Sequence, residues 1–522
     1  MKRKTRTRRQ SRPRFEGQKS PRPFRGWYAP SLEDLLAKDG EIIRPSYLPE
    51  PELSFAGRQT CEDPRTGLTA YGPYSKTDAT RREQIRIGIV GPAEAVDRAN
   101  RFLEQLSRPI DQSGDVDAIL HPSFPGVNAG EPFQCQFVTQ GIWQRTMRPG
   151  DVGLVEKHPD FRTRIGLLLG FVVSEIRALC ELDSRPDVVV CAMTKSLEEL
   201  CRTGIAEYDR DQRRSSEADS EGEEEISAEL ARSFRRGLKA ACLDLVPTQL
   251  LWHRTLAGTA GVQDLATRAW NLTVALLYKA GVIPWRLSDV IEGSCFVGIS
   301  FYHEDESASP FLHTSIAQAF SERGDGFVLR GDQLEWDPQK HKEKAPHLKQ
   351  EQAKRLLSRV LSAYKQQVGT LPRVVTLHKT SRFTPEEQAG FEEALEGIPQ
   401  YGLLTITRRG LTAFRPGPKP VLRGTILDFG ERLGLVYTTG YIPFLRCYPG
   451  FRIPQPLEIT ENWGSLTLTD AARDILRLTK LNWNAAAFCS RDPITLAFAK
   501  RVGDILKMAH GKEPALHYRY YM

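Results

Sequence analysis

"SCFVGIS", Ser294 to Ser300, is an unbroken run of apolar and small residues followed at once by "FYHEDES". A run of this length without helical spacing reads as a strand buried on both faces. Many metal-dependent nucleases begin their active site with such a strand, which delivers a carboxylate at its C-terminal end because divalent ions need charged oxygen ligands on a rigid support. The residue delivered here is Ser300, so the missing carboxylate becomes the first thing to explain.

Outward from this strand the pattern is that of an α/β protein. Downstream come the amphipathic helix "EQAKRLLSRVLSAYKQQVG", the strand "RVVTLHK", strand-and-turn segments from Gly402 to Ile459, and a closing helix near "DPITLAFAKRVGDILKM". Upstream, from Gln84, "IRIGIVGPAEAVDRANRFLEQL" reads as strand, Gly-Pro turn and helix, and "PDVVVCAM" from Pro186 as another buried strand. Strands alternating with helices predict a mainly parallel sheet covered on both faces. The first turn is not G-x-G-x-x-G, so a dinucleotide site has little support. A helical pattern from Val262 to Ala280 ends at "GVIPW", where glycine and proline stop it.

The 522 residues allow two or three domains, and 40% hydrophobic with 26% charged residues is an ordinary globular composition. The longest apolar run, "IGLLLGFVV" from Ile165, is too short to span a bilayer, and the arginine-rich start lacks the apolar core of a secretory signal. These features predict a cytoplasmic protein without membrane association. Nine scattered cysteines, with no C-x-x-C pair, predict reduced thiols rather than a zinc site.

The formal charge of +7 is uneven. The first 25 residues hold 11 basic residues and one acidic, leaving 61 basic against 64 acidic in the rest. So charged a run, poor in aliphatics, is expected to be a disordered arm. Gly26 to Thr80 is rich in proline and glycine and reads as an extended linker leaning on other domains. Between Asp209 and Glu225, "DRDQRRSSEADSEGEEE" reads as a solvated acidic loop insertion.

Two clusters carry chemistry. In "FRRGLKAACLDLVPTQLLW", Arg235 and Lys239 are four apart and share a helix face; Gln249 follows the helix, and Lys279 closes the long helix 30 residues later. A basic pair at this spacing is ordinarily a solvated helix face. Two lysines and an arginine converging with an amide, however, suit a terminal phosphate. The second cluster begins at Ser300 and is defined by a family resemblance.

The spacing of Arg235, Lys239, Gln249 and Lys279 resembles the pocket of the Argonaute MID domain that holds a guide's 5′ phosphate. "PELSFAG" with "DPRTGLTAYGPY", "RVVTLHKTSRFTPEEQAGFEEAL", "YTTGYIPFLRCYPGFRIPQPLEI", "LTKLNWNAAAF", "PITLAFAKRVGDIL" and "HYRYYM" together resemble the PIWI half of a short prokaryotic Argonaute, over about Pro51 to Met522. The resemblance implies a basic arm and linker over 1–83, a Rossmann-like MID domain over 84–284 carrying the 209–225 insertion, and an RNase H-like PIWI domain over 285–522. It also implies that Ser300, Thr380 and Lys500 stand where a slicing Argonaute has metal-binding acids. Two hydroxyls and an ammonium leave no two-metal site, so the chain is expected not to cut.

The function so implied is a sensor that loads a short guide RNA, pairs it with single-stranded target DNA, and activates a partner carrying an APAZ region and a TIR, sirtuin-like or nuclease effector. The setting is abortive prokaryotic defence against plasmids or phages, with oligomerisation on activation open. A structural Mg2+ is expected at the guide phosphate, held by Gln249 and the terminal carboxylate of Met522. The rival expectation is an active endonuclease in which "HEDE", His303 to Glu306, supplies an unorthodox metal site. His253, Trp285 and Trp483 are expected to be structural rather than catalytic or base-stacking.

If the arm tracks phosphates, deleting residues 1–25 flattens the salt dependence of single-strand binding, by about 0.7 in log–log slope for each phosphate that the arm neutralises. Titrations across a salt series of full-length and truncated protein check this; an unchanged slope removes the arm from the binding surface.

Overall fold

The computed structural model describes residues 45–79, 81–112, 117–201, 234–259, 261–302, 312–321, 326–337, 339–340, 345–408, 411–430, 432–450, 452–509 and 514–522. The basic arm, the 209–225 insertion and His303–Glu306 lie outside these residues.

The upstream region forms the parallel sheet predicted from its pattern. Gln84–Gly91 pairs in parallel with Gln136–Val138, Gln144–Thr146 and Val188–Ala192, and the last pairs with the edge strand Thr248–Leu251. Strand alternation divides the faces: Ile85, Ile87 and Ile89 enter one core, whereas Val90 enters another with Leu168, Val172 and Ile176 of the helix Phe161–Cys180.

The downstream region is a nine-stranded mixed sheet. Its centre is Ser294–Tyr302, parallel to Val374–Lys379, which is parallel to Gln400–Thr407; antiparallel strands extend both sides. The helix Gln350–Val368 covers one face through Leu356, Leu357, Val360 and Tyr364. On the other face Gly298 is required for packing, since a Cβ there would lie 2.2 Å from the carbonyl oxygen of Thr495 at the helix Ile494–Ala497.

The helix Leu265–Lys279 joins the two regions. Asp264 caps it, accepting from the Thr267 amide at 3.0 Å, and 11 of its 15 residues are buried. A helix apolar nearly all round must be enclosed on every side. Its side chains share one continuous core with Ile85 and Ile89 of the parallel sheet and Phe296, Ile316 and Phe320 of the mixed sheet. Trp285 and Trp483, both 0% exposed, belong to this core, and Trp483 stacks on Tyr278 with centroids 4.7 Å apart.

Two expectations change. The strand opened by "SCFVGIS" does not end at Ser300: Phe301 and Tyr302 stay paired with Ser315 and Thr314, because the partner strand Leu312–Ser321 continues alongside. Residues 45–79 are also more than an extended linker. Pro45–Tyr47 adds an edge strand to the mixed sheet, Pro64–Tyr71 is helical with an Asp63 cap, and Leu53, Phe55 and Leu68 are fully buried.

Glu50 anchors this segment. Its side chain, 5% exposed, accepts from Arg423 Nε at 2.8 Å and Lys480 Nζ at 2.6 Å, and both cations are 0% exposed. Burial alone would raise the Glu50 pKa, but Arg423 and Lys480 outweigh it and hold the carboxyl below its usual value. Removing one charge from a buried group of this kind typically costs about 3–5 kcal/mol, because its partners stay buried and unpaired. Glu50→Gln is therefore expected to lower unfolding free energy by an amount of that order in chemical denaturation, and a loss below about 1 kcal/mol would show that water reaches the cluster.

Candidate phosphate site and the strand-end cluster

The helix over residues 234–241 carries Arg235 and Lys239 on one side, and its apolar side, Phe234, Leu238 and Cys242, packs beneath the parallel sheet. Gln249 follows this helix and lies within the edge strand Thr248–Leu251. Lys279 is the last residue of the buried helix, as expected. The fold brings these residues together: Lys279 Nζ donates to Gln249 Oε1, and Lys239 Nζ donates to the Thr248 carbonyl oxygen.

The electrostatics are unusual. Lys239 is 3% exposed and Lys279 1%, and the acceptors that their ammonium groups find are neutral oxygens. Burial, with Arg235 adding to it, pushes Lys239 down to about 7. Burial, then the charges of Lys239 and Arg235, holds Lys279 well below its ordinary value. Arg235 is the exposed member, reachable from solvent, although enough protein surrounds its guanidinium that burial and then Arg501 lower its pKa. Like charges gathered in a low dielectric without a counter-charge repel one another, and an anion relieves the strain.

Arg501 and Tyr518 also stand beside this cluster, and the sequence did not single out either. Met522, expected to offer a carboxylate, is buried in the core that holds Tyr278 and Tyr518. The Gln249 amide oxygen is a hard donor that suits Mg2+, though Lys279 engages it here. Among the described residues, no group of three or more His, Cys, Asp or Glu side chains is arranged to hold a metal ion.

The second cluster also assembles. The last register pair between the central parallel strands is Gly298 with His378, so Ser300 and Thr380 each lie two residues further toward the same sheet end. Ser300 Oγ donates to the Ala499 carbonyl oxygen at 3.3 Å, which brings the start of the helix Ala499–Lys507, and hence the backbone of Lys500, to the same place. The Lys500 side chain lies outside the described atoms. Thr380 is exposed just past the strand. Its neighbour Lys379 binds both oxygens of Glu387, at 2.5 and 2.6 Å, and His347 Nδ1 lies 2.8 Å from the same carboxylate. Glu461 is held by Thr405 Oγ1 at 2.6 Å and the Phe383 amide at 3.0 Å. These two carboxylates serve internal donors. His253, at 2.9 Å from Arg98, has a structural partner.

No protein-family model matches the chain, and no curated protein matches its sequence. Solved structures do match. Clostridium butyricum Argonaute bound to a guide DNA and a 19-mer target DNA superposes with TM-score 0.56 at 14% identity, over 90% of this chain and 54% of that one. Aquifex aeolicus Argonaute gives 0.54 at 16% identity, over 90% and 54%, and its complex with externally bound siRNA 0.53 at 14%, over 91% and 56%. The fold is therefore Argonaute-like, and the chain spans little more than half the length of these proteins. Among the described residues no helix is long and apolar enough to cross a membrane.

The depressed lysines predict a pH dependence for any anion bound here. A phosphate placed against Lys239 would raise its pKa, so binding would take up a proton wherever the free protein has lost it. That cost is absent below about 7 and grows as pH rises through it. The affinity ratio of 5′-phosphorylated to 5′-hydroxyl oligonucleotide should fall by about tenfold or more between pH 7 and 9, in titrations at one ionic strength. A constant ratio would mean that Lys239 does not meet the phosphate.

Proposed function

We propose that this chain is a guide-binding, non-cleaving Argonaute-type module. It takes the 5′ phosphate of a short guide, RNA by the family resemblance, at Arg235, Lys239, Gln249 and Lys279, and pairs the guide with a single-stranded DNA target. Recognition then passes to a separate APAZ-containing partner with a TIR, sirtuin-like or nuclease effector, in defence against plasmids or phages. The observation that carries the reading is the cluster itself: two buried lysines held by neutral oxygens, with Arg235 close enough to lower the pKa of both. A dianionic phosphate supplies the charge that this arrangement lacks.

The guide and target DNA of the Clostridium butyricum protein support nucleic acid as the ligand class. A Mg2+ ion bound with the guide would be held by the Gln249 amide oxygen and would supply further neutralisation of phosphate charge. The protein's own residues orient the guide: Lys239 and Lys279 fix the phosphate depth and Arg235 guards the entrance.

Absence of cleavage follows from side-chain chemistry at the second cluster. Ser300 and Thr380 bring neutral hydroxyls to a sheet end where phosphodiester hydrolysis by two metals needs several carboxylates, and the residue type at Lys500 is a cation rather than an acid. The sheet is then a platform for a duplex rather than a cutting edge.

Two measurements test the reading. Lys279→Ala should weaken binding of 5′-phosphorylated guide by roughly ten- to a hundredfold while leaving 5′-hydroxyl guide nearly unchanged, the loss expected for one charge-assisted hydrogen bond. Equal losses for both guides would reduce the lysine to general electrostatics. Guide-loaded protein with complementary DNA and Mg2+ or Mn2+ should leave the target intact, and Ser300→Asp with Thr380→Asp should not restore cutting; specific scission opposite the guide would overturn the non-cleaving assignment.

A further inference from the structure

Gly298 stands in the central strand with a polar residue on either side of it. Across the antiparallel ladder it is paired with Gln318, and across the parallel ladder with His378. Residues directly opposite one another point to the same face of a sheet. The Gln318 amide and the His378 ring therefore flank the glycine on the face covered by the helices Ile494–Ala497 and Ala499–Lys507. The Thr495 carbonyl oxygen, which crowds Gly298, lies over the gap between them.

Both side chains are 0% exposed. His378 Nδ1 is 2.7 Å from Thr495 Oγ1, but among the described residues its Nε2 has no hydrogen-bond partner, and neither does the nitrogen or the oxygen of the Gln318 amide. The neighbouring polar positions on this face are satisfied: Thr376 Oγ1 donates to Asp474 at 3.3 Å, and Ser300 Oγ donates to the Ala499 carbonyl. Gln318 lies between Ile316 and Phe320, both fully buried in the shared core, so its amide is enclosed by apolar groups. Leaving one buried polar atom unpaired is costly and uncommon. Three of them at two positions flanking one glycine point to something bound between them.

The donor and acceptor needs of these atoms narrow what it is. The amide nitrogen needs an acceptor and the amide oxygen a donor, while His378 Nε2 needs one or the other according to the tautomer that Thr495 Oγ1 selects. Burial pushes the His378 ring down to about 3, so it is neutral. A metal ion would leave the amide nitrogen unpaired, and an anion the amide oxygen. Water both gives and takes hydrogen bonds. Neighbouring strands lie about 4.8 Å apart, so the two backbones are about 10 Å from each other across Gly298, a span that two facing side chains and one or two waters bridge.

We propose that this is an internal water site, in which ordered water held by the Gln318 amide, His378 Nε2 and the Thr495 carbonyl ties the strands Leu312–Ser321 and Val374–Lys379 to the helix Ile494–Ala497. The carbonyl can accept from water because it has two lone pairs. Gly298 allows the arrangement, since a side chain there would drive the carbonyl away from both partners. The closing helices are then seated on the sheet by direct contacts at Ser300 and His378 and by a hydrated one reaching Gln318.

A crystal structure of the full chain, at a resolution that shows ordered water, should place water within hydrogen-bond distance of both Gln318 and His378 Nε2. A dry site, or a direct Gln318–His378 hydrogen bond, overturns the proposal. Stability gives an independent reading through Gln318→Leu, His378→Phe and the double variant. Each single change strands the water on fewer partners and should lower the melting temperature by about 2 °C or more, and the double variant should lose clearly less than the two losses added. A melting temperature raised by Gln318→Leu, or losses that simply add, would mean that no shared water joins the two side chains. Hydrogen exchange over residues 494–507 should quicken in Gln318→Leu while that over 265–279 stays unchanged; unchanged exchange over 494–507 would remove the water as a tie to the closing helices.

Discussion

A helix buried over most of its surface that ends in a lysine is the constraint around which this molecule is organised. Leu265–Lys279 could not be left in water, because apolar residues cover most of its circumference, so both sheets close on it and share its core. The closure carries Lys279 into the interior with its charge. There the ammonium finds Gln249 on the edge strand, and its neighbour Lys239 finds the Thr248 carbonyl. Neither oxygen carries charge, and the site is left electrostatically incomplete.

The chain handles buried charge in two opposite ways. Around Glu50, Arg423 and Lys480 are both fully enclosed and both neutralised, and Lys480 additionally lies 3.9 Å over the Phe488 ring. Lys379, Glu387 and His347 form a second satisfied group beside the central strands. These clusters fix chain segments in place, Glu50 tethering residues 45–63 to the mixed sheet. The Arg235, Lys239 and Lys279 group has no such closure among the described residues. Two sets of buried cations are neutralised from within, and a third has no carboxylate among the described residues; the proposed reading assigns its counter-charge to a bound anion.

The two halves of the reading differ in physical kind. At Arg235, Lys239 and Lys279, cationic side chains are gathered without a counter-charge among the described residues, and burial lowers the pKa of each. At Ser300 and Thr380 the side chains are neutral hydroxyls, which the parallel strands bring to one sheet end, and the closing helix meets Ser300 there through Ala499. Under the proposed reading the frame has another use, as a surface for paired strands. Thr495 crowding Gly298 shows how tightly the closing helix is fitted to that frame.

Local chemistry made much of this readable beforehand. Apolar runs marked the buried strands, the four-residue spacing of Arg235 and Lys239 put them on one face, and glycine and proline after Lys279 placed that lysine at a helix end. Short-range rules fail where the partner is distant. Strands of two or three residues between Pro45 and Cys61 are too short to show a period, and Glu50 meets Arg423 and Lys480 across separations of 373 and 430 residues. The strand end was misplaced by two residues because the neighbouring strand, not the run's own composition, decides where pairing stops. Arg501 looked like any basic residue on an amphipathic helix. Periodicity and residue type therefore settled which elements form and which side chains are candidates, since those depend on neighbours within a few residues. Which cations would meet without a counter-charge depended on how two sheets close on one buried helix, and no local pattern encodes that distance.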